Sequence, residues 1–340
     1  GMLGYTRVPD ETAIIRHCLA DSALETAESI YAAMGCGGLV SSFSGSFMIS
    51  DCLSSGSIVQ AEVLDLRAQM GGLVGYADSK ESGFIRCIHN GVVSGGVSGG
   101  LMGIADYDNY MTFTDCANYG TITSTYQPET VRPYIHSVAG GLFGIGNGTF
   151  ENCVAAGTVS GEVAGGLHGE TYEHYSSNDG VAEFSDCRAN LTLGGKTMGG
   201  LLGSIEEDDG ETFVTISNCS SALKLISNEE AEQTLGGLIG NGYGEISQCR
   251  VEVSITHTGE QKLHVAGLVG KAEEELSIWD CETDVSLANT SGGTFAGMVG
   301  IGKDLTFNNC VSRVDLVSGG KVSAGGILGS STGEVIMTRC

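Results

Sequence analysis

Apolar residues recur along this chain in short alternating runs, and the three-to-four spacing of an amphipathic helix is missing. The runs are anchored on cysteine. Cys18, Cys52, Cys87, Cys116, Cys153, Cys187, Cys219, Cys249, Cys281, Cys310 and Cys340 follow one another at intervals of 29–37 residues. The alternation runs over positions five and three before cysteine and four and six after it; the residue three before is apolar in every repeat, as Phe113 before Cys116, and the residue six after is apolar in all ten repeats that reach it, as Ile122. Phe, Ile, Val and Thr dominate these positions, which predicts a strand on either side. The inward parity shifts across the cysteine, so a bend is expected there. Asp or Asn often stands directly before it (Asp51, Asp115, Asn152, Asp186, Asn218, Asp280, Asn309). Such side chains tolerate positive φ and predict a left-handed corner. Four residues after cysteine the early repeats carry Gly56, Gly91, Gly120 and Gly157; the later ones carry Leu191, Leu223, Val253, Val285 and Val314.

A second signature lies between the cysteines: Gly-Gly-aliphatic-apolar-Gly. It runs from Gly71-Gly72-Leu73-Val74-Gly75 to Gly325-Gly326-Ile327-Leu328-Gly329, with Ala266 and Ala296 replacing the first glycine in two copies. These glycines allow tight turns and close approach of neighbouring backbones. The shortest path assembled from observed segments takes 25 residues from cysteine to cysteine. That suits one coil of a three-sided parallel β-solenoid and is too short for a four-stranded propeller blade. The expected fold is all-β: a parallel β-helix of about eleven coils, each of about 25–37 residues, forming one domain over 1–340. Equivalent residues would stack about 4.8 Å apart. The pattern begins and ends within the repeat, so the native array is expected to continue past one or both ends. Residues 21–34 also read as a short helix with a Ser22–Glu25 capping box, outside the solenoid.

The Gly-Leu-hydrophobic-Gly unit, repeated ten or eleven times, resembles the GLUG-motif repeats of large bacterial surface and secreted proteins. The resemblance implies an extracellular, adhesin-like or accessory repeat region with no catalytic residues in the repeats. The zinc-binding helix of the metallopeptidases that sometimes accompany such repeats is absent from this sequence.

Composition sharpens this picture in three ways. Glycine supplies 54 residues and proline 3, but the glycine lacks the every-third spacing of collagen. Acidic residues outnumber basic ones 41 to 16, giving a net charge of -25. Nucleic acid and anionic membrane are therefore not expected partners. No apolar run reaches the ~18 residues of a membrane span, and no signal peptide opens the chain. Twelve cysteines without a C-x-x-C motif read as one interior ladder of small buried side chains, with Cys36 left over before a Gly-Gly pair.

Insertions break the minimal coil at 104–110, 123–138 and 170–182. They hold Tyr107, Tyr110, Tyr126, Tyr134, His136, Tyr172, His174 and Tyr175, which form the candidate ligand-binding set. Solenoid insertions often make the binding face, and tyrosine offers rigid amphipathic area for a sugar or a protein. The alternative is that these tyrosines pack the loops on one another. The expected partner is a host or microbial glycan or surface protein, met by a non-enzymatic adhesin or spacer rod at the bacterial surface. The rival reading is a β-helical polysaccharide lyase or glycoside hydrolase. It would draw on Asp106, Asp108, Glu129, Arg132, Glu173 and Asp179, which form no motif. No catalytic residue, metal or cofactor is assigned; Asp106-Tyr-Asp108-Asn109 and the acidic run 206–210 are the weak calcium candidates. His168 occupies a slot that is apolar in the other repeats, and the two apolar columns at Leu73 and Val74 are expected to be buried together.

Overall fold

The computed structural model describes residues 3–8, 11–21, 23–26, 35–60, 68–78, 81–106, 109–125, 137–171, 181–205, 213–226, 231–257, 260–289 and 291–340. Among them every regular element is a strand. One coil shows the plan. Gln69–Gly71 belongs to sheet 1, Val74–Asp78 to sheet 2, Glu81–Ile85 to sheet 3, and Ile88–His89 with Val92–Gly95 to sheet 4. The chain then re-enters sheet 1 at Val97–Gly99. Strands of successive coils pair in parallel and in register, so the four sheets grow to 10, 11, 11 and 14 strands. The fold is a parallel β-solenoid.

Four sheets appear where three sides were expected, and the Gly-Gly-Leu segment is the reason. It bends between sheets 1 and 2, as at Gly72-Leu73, and interrupts what would be one side. The bend also settles the adjacent apolar columns. Leu73 and Val74 are both fully buried, as are Leu101 with Met102 and Leu142 with Phe143. A straight strand would send one of each pair to solvent.

Most motif glycines are required by proximity and not by backbone handedness. Gly166 is absent from the positive-φ glycines, yet a Cβ there would sit 2.9 Å from the Gly200 carbonyl carbon and closer to its oxygen. The backbones of successive coils meet at this corner with no room for a side chain.

At the cysteine corner, between sheets 3 and 4, all eleven residues preceding cysteine have φ between +51° and +56°, from His17 to Arg339. Their side chains form a ladder outside the rod. Asn152 Nδ2 donates to Asp115 Oδ1 at 2.6 Å, Asn309 Nδ2 to Asp280 Oδ1 at 2.6 Å, and Asn218 Nδ2 to Asp186. Arg86 clasps Asp51 through two bonds of 2.6 and 2.9 Å. Beyond the corner, Gly56, Gly91 and Gly120 fall between two short strands of sheet 4, whereas Gly157, Leu191, Val253 and Val285 lie inside the unbroken strands Val154–Ser160, Arg188–Gly194, Arg250–His257 and Glu282–Asn289. Within the expected helix at 21–34, Ala23–Thr26 is a strand paired with Ser57–Gln60, which anchors it to sheet 4. The rest of that expected helix, 27–34, lies outside the described residues.

The core is a set of columns. Phe84, Phe113, Phe150 and Phe184 stack with centroids 5.2, 4.8 and 4.8 Å apart. Nine cysteines from Cys52 to Cys310 are buried, and all twelve are free thiols. Each buried Sγ points to the carbonyl two residues back, as from Cys116 to Thr114 at 3.3 Å, and most also reach the previous coil, as from Cys116 to Phe84 at 3.4 Å. Burial pushes the Cys310 thiol up to about 11 and raises Cys36. A thiol reagent at neutral pH is therefore expected to modify the exposed Cys340 rapidly and half-buried Cys18 and Cys36 slowly. The nine buried thiols should react only in denaturant. Rapid native modification of more than three thiols would contradict a sealed ladder.

Candidate binding face

The outward side of sheet 3 presents a continuous polar surface among the described residues. Its strands alternate, so every second side chain points out. Parallel register aligns these into two columns. One runs Thr112, Thr149, Glu183, Thr215, Glu245, Ser277, Thr306; the other runs Thr114, Glu151, Ser185, Ser217, Ser247, Trp279, Asn308. Each is exposed or half-buried, while the residues between them, such as Phe113, Phe150 and Ile216, are fully inside. All backbone groups here serve the ladder, so only side chains are on offer.

Two shallow hollows open on this surface. One, of about 440 Å³, lies over Thr112, Thr149, Glu151, Glu183, Thr215 and Ser217. The other, of about 470 Å³, lies over the cysteine corner among Asn152, Asp186, Arg188, Asn218, Gln248 and Arg250. They meet at Glu151. Arg250 lies 3.7 Å from Glu282, which also holds Arg313 at 2.8 Å. Arg188 is exposed and has no ion pair among the described residues. Hydroxyls, carboxylates, amides and guanidinium groups thus share one open strip.

Of the eight residues expected to bind ligand, only Tyr110 lies within the described residues. Tyr107, Tyr126, Tyr134, His136, Tyr172, His174 and Tyr175 fall outside them. Tyr110 begins the strand Tyr110–Thr114 and points outward at the edge of the polar face. Its phenol is pushed up to about 12, by burial and then by the Glu183 carboxylate, against a hydrogen bond with Thr149. Asn147 pairs with Tyr110 across the sheet and shares its outward parity. It is 3% exposed, and its Oδ1 has no hydrogen-bond partner. The three insertions do not leave the rod at one place. The strands flanking 104–110 and 170–182 join sheets 2 and 3, whereas those flanking 123–138 join sheets 4 and 1. The tyrosine-rich stretch of sequence therefore attaches at two corners.

Of the carboxylates considered for an enzyme, Asp106 accepts a hydrogen bond from the Tyr76 hydroxyl at 3.0 Å. Asp108, Glu129, Arg132, Glu173 and Asp179 lie outside the described residues. In the calcium candidate at 106–109, Asn109 is buried and donates to the Ala77 carbonyl at 3.2 Å. The acidic run 206–210 is outside the described residues. Among the described residues no group of three or more His, Cys, Asp or Glu side chains is placed to hold a metal, and no helix is long and apolar enough to cross a membrane.

Sequence reasoning missed the two-column face because Thr, Ser and Glu at outward positions read only as solvent-facing strand. The signal was present in segments such as Thr112-Phe113-Thr114 and Thr215-Ile216-Ser217, which recur at the same offset from cysteine. Comparison with known protein families, with curated proteins and with solved structures finds no match.

Proposed function

We propose that this chain is a non-catalytic binding rod that recognises a glycan through the outward face of sheet 3. The observation that carries the reading is the two-column array itself. Hydroxyls and planar carboxylates pair with vicinal sugar hydroxyls; here each rung carries at least one hydroxyl, and Glu151, Glu183 and Glu245 stand beside three of them. The resemblance to GLUG-motif repeats supports placing such a rod on or outside a bacterial cell, where it binds a host or microbial glycan. Tyr110 belongs to this face, and the tyrosine-bearing insertions at 104–110 and 170–182 are flanked by its strands.

A second reading has one specific observation behind it. Thr149 pairs with Glu183 and Glu151 with Ser185, so Glu151 and Glu183 are diagonal neighbours on the face. Rung spacing and strand rise put their Cβ atoms about 8 Å apart, close enough for the two side chains to bring their carboxyls to the ~6.5–9.5 Å separation of inverting glycosidases. Both stand on an open surface, and nothing there excludes water from a reacting bond. A glycan array paired with a reducing-sugar assay separates the two readings. Binding without turnover is the expected result. Sugar release that Glu183→Gln abolishes would replace the binding rod with a hydrolase.

A further inference from the structure

We infer that the ligand of this face is an extended, uncharged β-1,4-linked glycan lying along the solenoid axis, with about one sugar per coil. This rests on the glycan reading above and adds the ligand's linkage, direction and length.

The direction follows from where the chemistry repeats. Across a strand the side chains change at every step. Along the axis the same pair of outward positions recurs at each rung, about 4.8 Å apart. A polymer whose recognition groups recur at that distance meets at least one hydroxyl at each unit, from Thr112 and Thr114 to Thr306. A β-1,4-linked chain is a flat ribbon with hydroxyls on both edges that advances by about one such rung per sugar. It therefore places its edges over the two columns. A peptide strand would need open backbone groups, and sheet 3 has none at this face.

Charge selects an uncharged ribbon. The protein carries -25, and Glu151, Glu183 and Glu245 project from the face itself. A polyanionic glycan would meet repulsion along its length.

Two features on the same surface point to a ligand and not merely to solvated strand. The chain's single tryptophan, Trp279, sits half-buried in the outward column beside Ser247, where its ring gives an apolar platform for the face of a sugar. Near the other end, the Asn147 Oδ1 acceptor is buried without a partner on the outward side, next to Tyr110. Aromatic groups thus stand near both ends of the polar stretch from Thr112 to Thr306, Tyr110 beside its first rung and Trp279 on its last but one. The residues of its first column, as named above, number seven.

The test is a length series. Cello-, xylo-, manno- and chito-oligosaccharides of two to about ten sugars are titrated into the whole chain, with calorimetry and Trp279 fluorescence as readouts. Affinity in at least one series should climb with each sugar and level off near seven. Thr215→Lys, at the middle of the face, should split the site and weaken the longest oligosaccharide by about 100-fold. Thr306→Lys, at its end, should cost only a few-fold. Thermal melting of both variants checks that each remains folded. A plateau at two or three sugars, or equal losses from the two variants, would overturn the axial ribbon while leaving glycan recognition standing. No binding to these series, with binding to other sugars on an array, would overturn the β-1,4 assignment. No binding to any glycan would overturn the reading beneath it.

Discussion

Gly166→Ala is expected to destabilise the protein by more than about 4 kcal/mol or to prevent folding, whereas Gly326→Ala is expected to be close to neutral. Both glycines hold the second position of the same motif. At Gly166 an added Cβ would run into the Gly200 carbonyl of the next coil, a backbone atom that cannot rotate away. Moving it means displacing strands that are hydrogen-bonded on both sides, since Gly166 N donates to Gly199 O and Leu167 N to Leu201 O. At Gly326 nothing lies within 4 Å of the same Cβ. Helix propensity is irrelevant in an all-strand fold, and neither residue has positive φ, so the difference isolates inter-coil contact. Chemical denaturation of the two variants measures it. A loss below about 1 kcal/mol at Gly166 would mean that the coils can part there without cost.

The second large effect concerns two histidines sealed in the rod. His168 is fully buried, lies parallel to Phe143 at 5.0 Å, and packs at 5.4 Å from Phe150. Neither ring nitrogen has a hydrogen-bond partner. Burial lowers its pKa to about 3. His89 is also fully buried, bonded at Nδ1 to Ser54 Oγ at 3.1 Å, and burial lowers it to about 4. Both folded values lie below the unfolded value near 6.5. The unfolded chain therefore takes up protons that the folded chain refuses. The contribution is unchanged above pH 6.5 and stability falls as pH drops below it, by up to about 1.4 kcal/mol per pH unit for each histidine. For His168 the full loss approaches roughly 5 kcal/mol by pH 3. His168→Phe would extend the aromatic column and remove two unsatisfied buried nitrogens. It should raise stability at pH 7 by about 2 kcal/mol and flatten the acid limb between pH 6.5 and 3. Denaturation midpoints measured across that range decide the matter. An acid limb of unchanged slope in the variant would remove His168 as its source.

Much of the architecture was legible before any coordinates, for reasons tied to particular residues. Interior columns impose one side-chain type at one offset, so Cys116 and Phe113 announced their corner and their sheet. Asp and Asn before cysteine announced positive φ because few other side chains adopt it readily. The number of sheets was less legible. Gly72-Leu73 reads as a corner, but whether it divides a side depends on how the flanking strands hydrogen-bond, and the sequence does not state that. The binding surface was least legible. Nearness in sequence grouped Tyr110 with tyrosines at 126–134, yet the strands bearing these segments lie at different corners. The outward residues of sheet 3 are some thirty positions apart in sequence and become neighbours only through stacking.

The Asp–Asn ladder at the cysteine corner has a consequence for how so repetitive a chain finds its own order. Neighbouring repeats are similar enough for one to dock where the next belongs. The corner carries a parity: Asp115 with Asn152, Asp186 with Asn218, Asp280 with Asn309. From Asp115 to Asn218, skipping a single coil would bring carboxylate against carboxylate (Asp115 with Asp186) or amide against amide (Asn152 with Asn218) and leave the donors misplaced. The surface chemistry thus works as a tally that penalises miscounting by one, on a scaffold whose interior columns alone would tolerate it.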